Sequence, residues 1–218
     1  TTAMPQGKRY KFQGSTFAVQ TGLGATDTIT AITAANPPVV TATAHGNLEG
    51  DVGQIAGVVG MTELNGNLYV VDDPAANTFE LADVDATAYT PYTSGGTFAP
   101  VVFSSFCELT GVNQQDGQAD EIEVSTICST AKEFEIGLGD SGTVQLDFNW
   151  AGNETVQAAL RAAKRSGAIT AFRVTFPGTG GKVVTLGYVQ SMSFAGQVNG
   201  VWTASATIKL TGNIFVTA

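Results

Sequence analysis

The sequence predicts a mainly β protein: an antiparallel β-sandwich or barrel with one flanking α-helix, plus an inserted small all-β domain. Three observations carry this. Val, Thr, Phe and Gly are abundant while charged residues make up only 13% of the 218 residues, a mix that favours strands and turns. The second half alternates apolar and polar residues with period two, the signature of half-buried antiparallel strands. The charge is confined: Asp27, Glu49, Asp51, Glu63, Asp72, Asp73, Glu80, Asp83 and Asp85 lie in a stretch, 27–100, that has no Lys or Arg. The rest of the chain is balanced, with ten acids and ten bases, so the middle stretch holds the whole net charge of −9. A composition break of that sharpness marks a module.

Taken in order, residues 10–20 read as a strand carrying Tyr10, Phe12, Phe17 and Val19, followed by a break at Gly22-Leu-Gly24. From Asp27 to Pro100 short β-like runs alternate with turn residues. Val39-Val40-Thr41 follows Pro37-Pro38, Leu68–Val71 follows Asn65-Gly66-Asn67, Thr78–Leu81 follows Asp73–Asn77, and Ser94-Gly95-Gly96 closes the module. Beyond it, 121–127 sets Ile122 and Val124 against Glu121, Glu123 and Ser125. The run 143–150 sets Val144, Leu146, Phe148 and Trp150 against Thr143, Gln145, Asp147 and Asn149. Strands follow at 171–176 (Phe172, Val174, Phe176 on one face) and 183–189 (Val184, Leu186, Tyr188). The last, 201–210, sets Trp202, Ala204, Ala206, Ile208 and Leu210 against Val201, Thr203, Ser205, Thr207 and Lys209. One helix is expected over 154–166, with Asn153 as its N-cap and Gly167 as its stop. Val156, Ala159, Leu160 and Ala163 form its apolar stripe, and Lys164 with Arg165 suit its C-terminal dipole. Residues 1–26 and 101–218 thus make the scaffold, and 27–100 the insert.

The balance of charge excludes binding to nucleic acid by general attraction, which needs clustered bases, but it leaves room for a surface past which DNA slides. The start, Thr-Thr-Ala-Met-Pro-Gln-Gly-Lys-Arg, has no apolar core of a signal peptide, and no run approaches the ~18 apolar residues of a membrane span. Synthesis in a reducing cytoplasm is therefore expected, with Cys107 and Cys128 as buried thiols; neither has a CxxC partner.

The search for chemistry comes back nearly empty. Gly137-Leu-Gly139-Asp-Ser-Gly142 matches GxGxxG, but the strand follows it and no βαβ unit surrounds it, so it reads as a turn. Gly178-Thr-Gly180-Gly181-Lys182 lacks the first Gly and the Ser/Thr of a P-loop and reads as a hairpin turn. His45, the one histidine, sits in Thr-Ala-His-Gly-Asn with no GxSxG nearby and reads as structural or exposed. The cysteines and His45 have no zinc spacing, and Asp72-Asp73 and Asp83-Val-Asp85 read as solvated turn charges rather than a calcium loop. No cofactor, metal or catalytic residue is expected, and the chain is not read as an enzyme.

Several motifs taken together resemble the major tail tube proteins of long-tailed (siphophage-type) bacteriophages. Glu123-Val-Ser-Thr-Ile-Cys-Ser-Thr-Ala-Lys-Glu-Phe-Glu-Ile-Gly-Leu-Gly-Asp-Ser-Gly-Thr-Val144 is similar to that family's strand, Ser/Thr-Thr-Ala-Lys-Glu, Gly-Leu-x-Asp-Ser-Gly and next strand. Leu146–Trp150 precedes an Ala-rich helix as in that family. Phe172–Pro177, Gly187–Phe194 and Ala206–Gly212 resemble its later strands in the right order. The resemblance covers about half of the chain, and the segments 36–46 and 59–66 resemble a small β module that recurs in phage tail proteins.

The resemblance implies a virion structural protein, assembled in the host bacterial cytoplasm into hexameric rings that stack into the tail tube, the conduit for DNA ejection. It implies as partners other copies of the chain, the tail tip or initiator complex, the tape measure protein and the tail terminator, with DNA passing unbound and no membrane. The loop 128–142 is expected to reorder on stacking, with Ser129, Lys132, Glu133, Glu135 and Asp140 as inter-subunit candidates. The polar faces Gln145, Asp147, Asn149 and Thr203, Ser205, Thr207 are the lumen candidates, and the acidic module is expected on the tube exterior. The rival reading is a carbohydrate-binding or adhesin-type sandwich using Tyr89, Tyr92 and Phe98; a third is the tube or spike protein of a contractile machine.

Overall fold

The computed structural model describes residues 11–217; Tyr10 lies outside them. In chain order the strands are β1 (Thr16–Leu23), β2 (Asp27–Thr28), β3 (Ala31–Ile32), β4 (Val39–Thr41) and β5 (Val52–Ala56). A 3₁₀ turn at Thr62–Leu64 leads to β6 (Leu68–Asp72), β7 (Thr78–Leu81), β8 (Thr97–Ser105) and β9 (Leu109–Gln115). Then come β10 (Glu121–Glu123), β11 (Phe134–Ile136), β12 (Thr143–Asn149), the helix α1 (Thr155–Ser166), β13 (Thr170–Thr175), β14 (Lys182–Ala195) and β15 (Thr203–Thr217). The protein is mainly β with one α-helix among the described residues, as expected.

The chain forms two compact units. The first comprises residues up to Cys107, Thr170–Thr185 and the segment from Ile214; the second comprises Glu108–Ile169 and Leu186–Asn213. β14 and β15 each contribute residues to both.

In the first unit the strands follow the order β3-β4-β7-β6-β5-β8-β1-β13, with β2 also on β8. Every registered pair is antiparallel. A hydrophobic cluster of Ile29, Val40, Ile55, Met61, Leu64, Val71, Phe79, Leu81 and Phe98, all almost fully buried, lies wholly within 27–100. Phe79 touches His45 on one side (ring centroids 5.0 Å) and Phe98 on the other (4.8 Å). Each such aromatic is worth roughly 1.5–3 kcal/mol of burial. Gly53 is required beside this cluster, because a Cβ there would lie 2.2 Å from the Phe98 ring. β8 crosses position 100 without a break: its first half pairs with β2 and β5, its second with β1. The sequence reading had no strand there, since Pro100 and the Gly pair before it read as a boundary. Beyond the cluster, Phe17, Val19 and Phe172 are buried, with Phe17 and Phe172 6.3 Å apart. Arg173 lies over the Phe103 ring at 4.3 Å and reaches Asp51 Oδ1 at 3.8 Å, which Lys182 Nζ approaches at 3.9 Å.

The first strand begins at Thr16 rather than residue 10. Phe12 falls in a turn closed by Ser15 N–H donating to its carbonyl (3.0 Å), and its ring is exposed.

In the second unit β12 lies between β15 and β9, antiparallel to both. Val144, Leu146 and Phe148 are buried, as are Ala204, Ala206 and Ile208 directly across from them. The expected alternation of these two strands holds, except that Trp202 precedes β15 and is exposed. β14 departs more. Val184 is buried, but Thr185, Gly187 and Val189 are buried next, leaving Tyr188 exposed. The period-two face shifts by one residue where the strand leaves the first unit for the second. Among the described residues β9 has β12 as its sole partner, so its other edge is open.

The helix starts one residue later than expected. Glu154, not Asn153, is the N-cap, its carboxylate accepting from Gln157 N–H at 2.9 Å. Gly167 closes α1 in the left-handed region, φ 68, with its N–H donating to Ala163 O. The buried face is Val156, Gln157, Leu160 and Ala163. Gln157 was not foreseen, being polar. Its amide satisfies two backbone groups of the chain leaving β12: Oε1 accepts from Ala151 N–H (3.0 Å) and Nε2 donates to Asn149 O (2.8 Å). A buried amide is tolerated when both of its ends are paired.

Candidate functional site

The strand periods put the six lumen candidates together. In the β12–β15 ladder Gln145 lies opposite Thr207, Asp147 opposite Ser205, and Asn149 opposite Thr203. Residues directly opposite on antiparallel strands share a face, so all six form one polar patch, the reverse of the face that buries Leu146 and Ile208. β9 widens it: Asn113 is opposite Gln145 and Gly111 opposite Asp147. Ser193 of β14 joins through its hydroxyl contact with Ser205 Oγ at 2.8 Å. A shallow groove of about 360 Å³ runs over Thr110, Asp147, Ser193, Phe194, Thr203 and Ser205. Asn113, Thr110 and Ser193 were missed in the sequence. The run Val112-Asn113-Gln114-Gln115 alternates too weakly to announce a strand.

This patch carries few charges. Asp147 is exposed, and the Gln145 amide donates to its Oδ1 at 3.4 Å. At the far end Thr143 faces Lys209, whose ammonium is neutralised by the Asp140 carboxylate. The Lys209 hydrogen bond, helped by Gly142 N–H at 3.1 Å, holds the Asp140 carboxyl below the usual carboxylate range. Gly142 has φ 84, and a Cβ on it would lie 2.1 Å from Gln115 O, so only Gly makes this turn.

The expected loop 128–142 is partly structured. Phe134–Ile136 forms β11, which pairs with β10: Glu121 opposite Ile136, Ile122 opposite Glu135, Glu123 opposite Phe134. Four of the five inter-subunit candidates belong to this ribbon. Ser129 Oγ accepts from Thr126 N–H and donates to Glu133 Oε2 (2.9 and 3.2 Å). Lys132 Nζ pairs with Glu123 at 2.9 Å and lies 5.9 Å from the Phe134 ring centre. Glu135 is exposed on β11. Asp140 stands apart, on Lys209.

Ile122 and Val124 were expected on a buried face, and both are exposed. So are Phe134, Ile127, Ile136 and Leu138, the last three at 102, 84 and 89%. The alternation was read correctly as β, but among the described residues these apolar side chains, on both faces of the ribbon, are left uncovered. A contiguous exposed apolar segment with polar neighbours marks an interaction surface.

The other candidates are placed as follows. Cys107 and Cys128 are free and exposed rather than buried; one follows β8 and the other tips the ribbon, where no core is at hand. His45 is buried and structural. Asn47 N–H donates to its Nδ1 (3.0 Å), which leaves the proton on Nε2, 3.3 Å from Thr78 O. Phe98 is fully buried, Tyr89 and Tyr92 pack against the same cluster, and the Tyr92 hydroxyl donates to Gly95 O at 3.0 Å. Phe98 is thus withdrawn from the surface, while Tyr89 and Tyr92 are half-buried. Among the described residues no cluster of His, Cys, Asp and Glu could hold a metal, and no helix is long and apolar enough to cross a membrane.

The described residues thus include an open sheet edge, a weakly charged polar face and a ribbon with exposed apolar side chains. The chain belongs to the phage tail tube protein family: the family model described as phage tail tube protein, TTP, matches residues 59–218. Its role is structural, as a subunit of the tube in the virion tail. Among solved structures the chain is similar to one from the tail of an empty gene transfer agent particle with C6 symmetry. That match has 20% identity and TM-score 0.42 over 53% of this chain and 87% of that one. It is similar to one from the native gene transfer agent virion, with 20% identity and TM-score 0.42 over 53% and 89%. It is also similar to the SPP1 tail tube, with 12% identity and TM-score 0.42 over 54% and 69%. No curated protein matches the chain.

Proposed function

We propose that this chain assembles into hexameric rings stacked head to tail, and that the rings form a tube through which DNA leaves the virion. On this reading it works by assembly rather than catalysis. The observation that carries the proposal is the exposed ribbon of β10 and β11, with Ile127, Ile136 and Leu138 left in water. Roughly 25 cal/mol per Å² is gained when such surface is covered, and a head-to-tail contact closes into a ring when its rotation allows. Ser129, Lys132, Glu133 and Glu135 sit at this contact, and Asp140 at its base.

The patch of Gln145, Asp147, Asn149, Thr203, Ser205 and Thr207 faces the lumen. Its weak acidity suits DNA that must pass without being held. Residues 27–100 form a module on the tube exterior, a reading supported by their private hydrophobic cluster and by nine acids without a base. The tail tip or initiator complex, the tape measure protein and the tail terminator are the expected further partners, with assembly in the host bacterial cytoplasm.

Negative-stain electron microscopy of the purified, concentrated protein tests this reading. Rings or hollow tubes of uniform width are expected. Separate small particles that persist after an initiator complex is added would overturn it.

A further inference from the structure

The second unit holds a groove whose chemistry mirrors the ribbon. Trp150 and Phe194 stack with centroids 5.2 Å apart and planes at 24°. The Arg161 guanidinium lies 5.1 Å over the Trp150 ring and donates through Nη2 to Gly152 O. Lys164, Arg165, Met192 and Ser193 complete a cavity of about 350 Å³. Three cations and three large apolar side chains line it, and no acid does. None of the three cations is in an ion pair among the described residues. The Nη1 of Arg161 is buried with no hydrogen-bond partner, a costly arrangement for a charged donor unless an acceptor arrives.

The ribbon has the complementary make-up. By register, one of its faces carries Phe134 and Ile136 of β11 directly beside Glu123 and Glu121 of β10. Apolar side chains thus lie along one strand and carboxylates along the other. The groove brings together the matching pair of groups, the aromatic rings Trp150 and Phe194 and the α1 cations Arg161, Lys164 and Arg165.

We propose that the β10–β11 ribbon of one copy seats in this groove of another copy. Phe134 and Ile136 lie on the Trp150–Phe194 pair, and Glu121 and Glu123 face Arg161, Lys164 and Arg165. This rests on the tube reading and names the surface that receives the ribbon. Seating covers Phe134 and Ile136 and brings carboxylates to α1 cations that have no ion pair among the described residues. Both halves of the contact are on every chain, so it propagates head to tail. The aromatic and arginine anchors make it the kind of site where binding energy concentrates.

The test combines crosslinking with charge exchange. Tubes assembled from mixed heavy-isotope and light protein are treated with a zero-length carbodiimide. The expected product joins Lys164 of one copy to Glu121 or Glu123 of another, seen as mixed-isotope peptides. The double reversal Lys164→Glu/Arg165→Glu is expected to cut tube yield by about tenfold or more, as like charges meet. Adding Glu121→Lys/Glu123→Lys to the same chain is expected to restore it, with circular dichroism showing a folded monomer throughout. Wild-type tubes whose Lys164 joins only other carboxylates, or a reversal that leaves yield unchanged, would overturn the seating alone. A wild type that never associates would overturn the tube reading beneath it as well.

Discussion

Asp147 of β12 and Ser205 of β15 lie directly opposite one another, on the side of the ladder away from Leu146 and Ala206. This one register fixes the polar character of the whole face, because a slip of one residue would turn Leu146 and Ile208 outward instead. Asp147→Lys should therefore fold as the wild type does, since the side chain is solvent-facing. Its tubes should retain linear DNA on sedimentation at low salt and release it at high salt, where counterion release no longer favours binding. Wild-type tubes should retain none.

The buried side of the same ladder predicts the opposite kind of effect. Leu146 is fully buried, and Leu146→Ala should cost about 2–5 kcal/mol, measured by chemical denaturation. In the first unit, Phe79→Ala should cost about 3–5 kcal/mol, because its ring bridges His45 and Phe98.

The helix cap separates two neighbouring residues. Glu154→Ala should lose about 0.5–2 kcal/mol, while Asn153→Ala should be close to neutral, because Glu154 holds the Gln157 N–H. Gln157→Leu should be worse than its size suggests. It strands Ala151 N–H and Asn149 O, at about 1–3 kcal/mol for each buried group left unpaired. Denaturation midpoints of the three variants check the order.

The link between Asp140 and Lys209 is pH-dependent in a definite direction. The folded Asp140 carboxyl titrates below its ordinary value, chiefly because of Lys209. Its contribution is therefore present above the unfolded value and lost as the pH falls through the folded one, below the ordinary carboxylate value of about 3.9. Hydrogen exchange at the Gly142 and Leu210 amides should accelerate there, corrected for intrinsic rates, since both amides belong to this turn. Asp140→Asn should remove that pH dependence.

The acidic module should be dispensable. Replacing 27–100 with a short Gly/Ser linker keeps Val101–Ser105, the part of β8 that pairs with β1, and removes the cluster private to the module. The trimmed chain should fold and assemble. Failure to fold would make the module part of the scaffold, with Asp51 beside Arg173 and Lys182 as one of the ties lost.

Much of the second half was legible in the sequence because a single period ran unbroken. Val144–Phe148 and Ala204–Leu210 announce both their strands and their faces. Where one strand serves two units, as β14 does, the period shifts and the face of Tyr188 was misread. Ile122 and Val124 show a different limit: periodicity reports an apolar face but not whether the covering surface lies in the same chain. The shared polar face of β12 and β15 was readable strand by strand, but the groove was not. It unites Trp150, Arg161 and Phe194, which are far apart in sequence and carry no shared motif.

A cryo-electron microscopy reconstruction of the assembled protein tests the central claim most directly. The account predicts a closed tube of stacked hexameric rings with Asp147, Ser205 and their neighbours on the inner wall. A tube with that patch on its outer wall, or an assembly with no central channel, would contradict it.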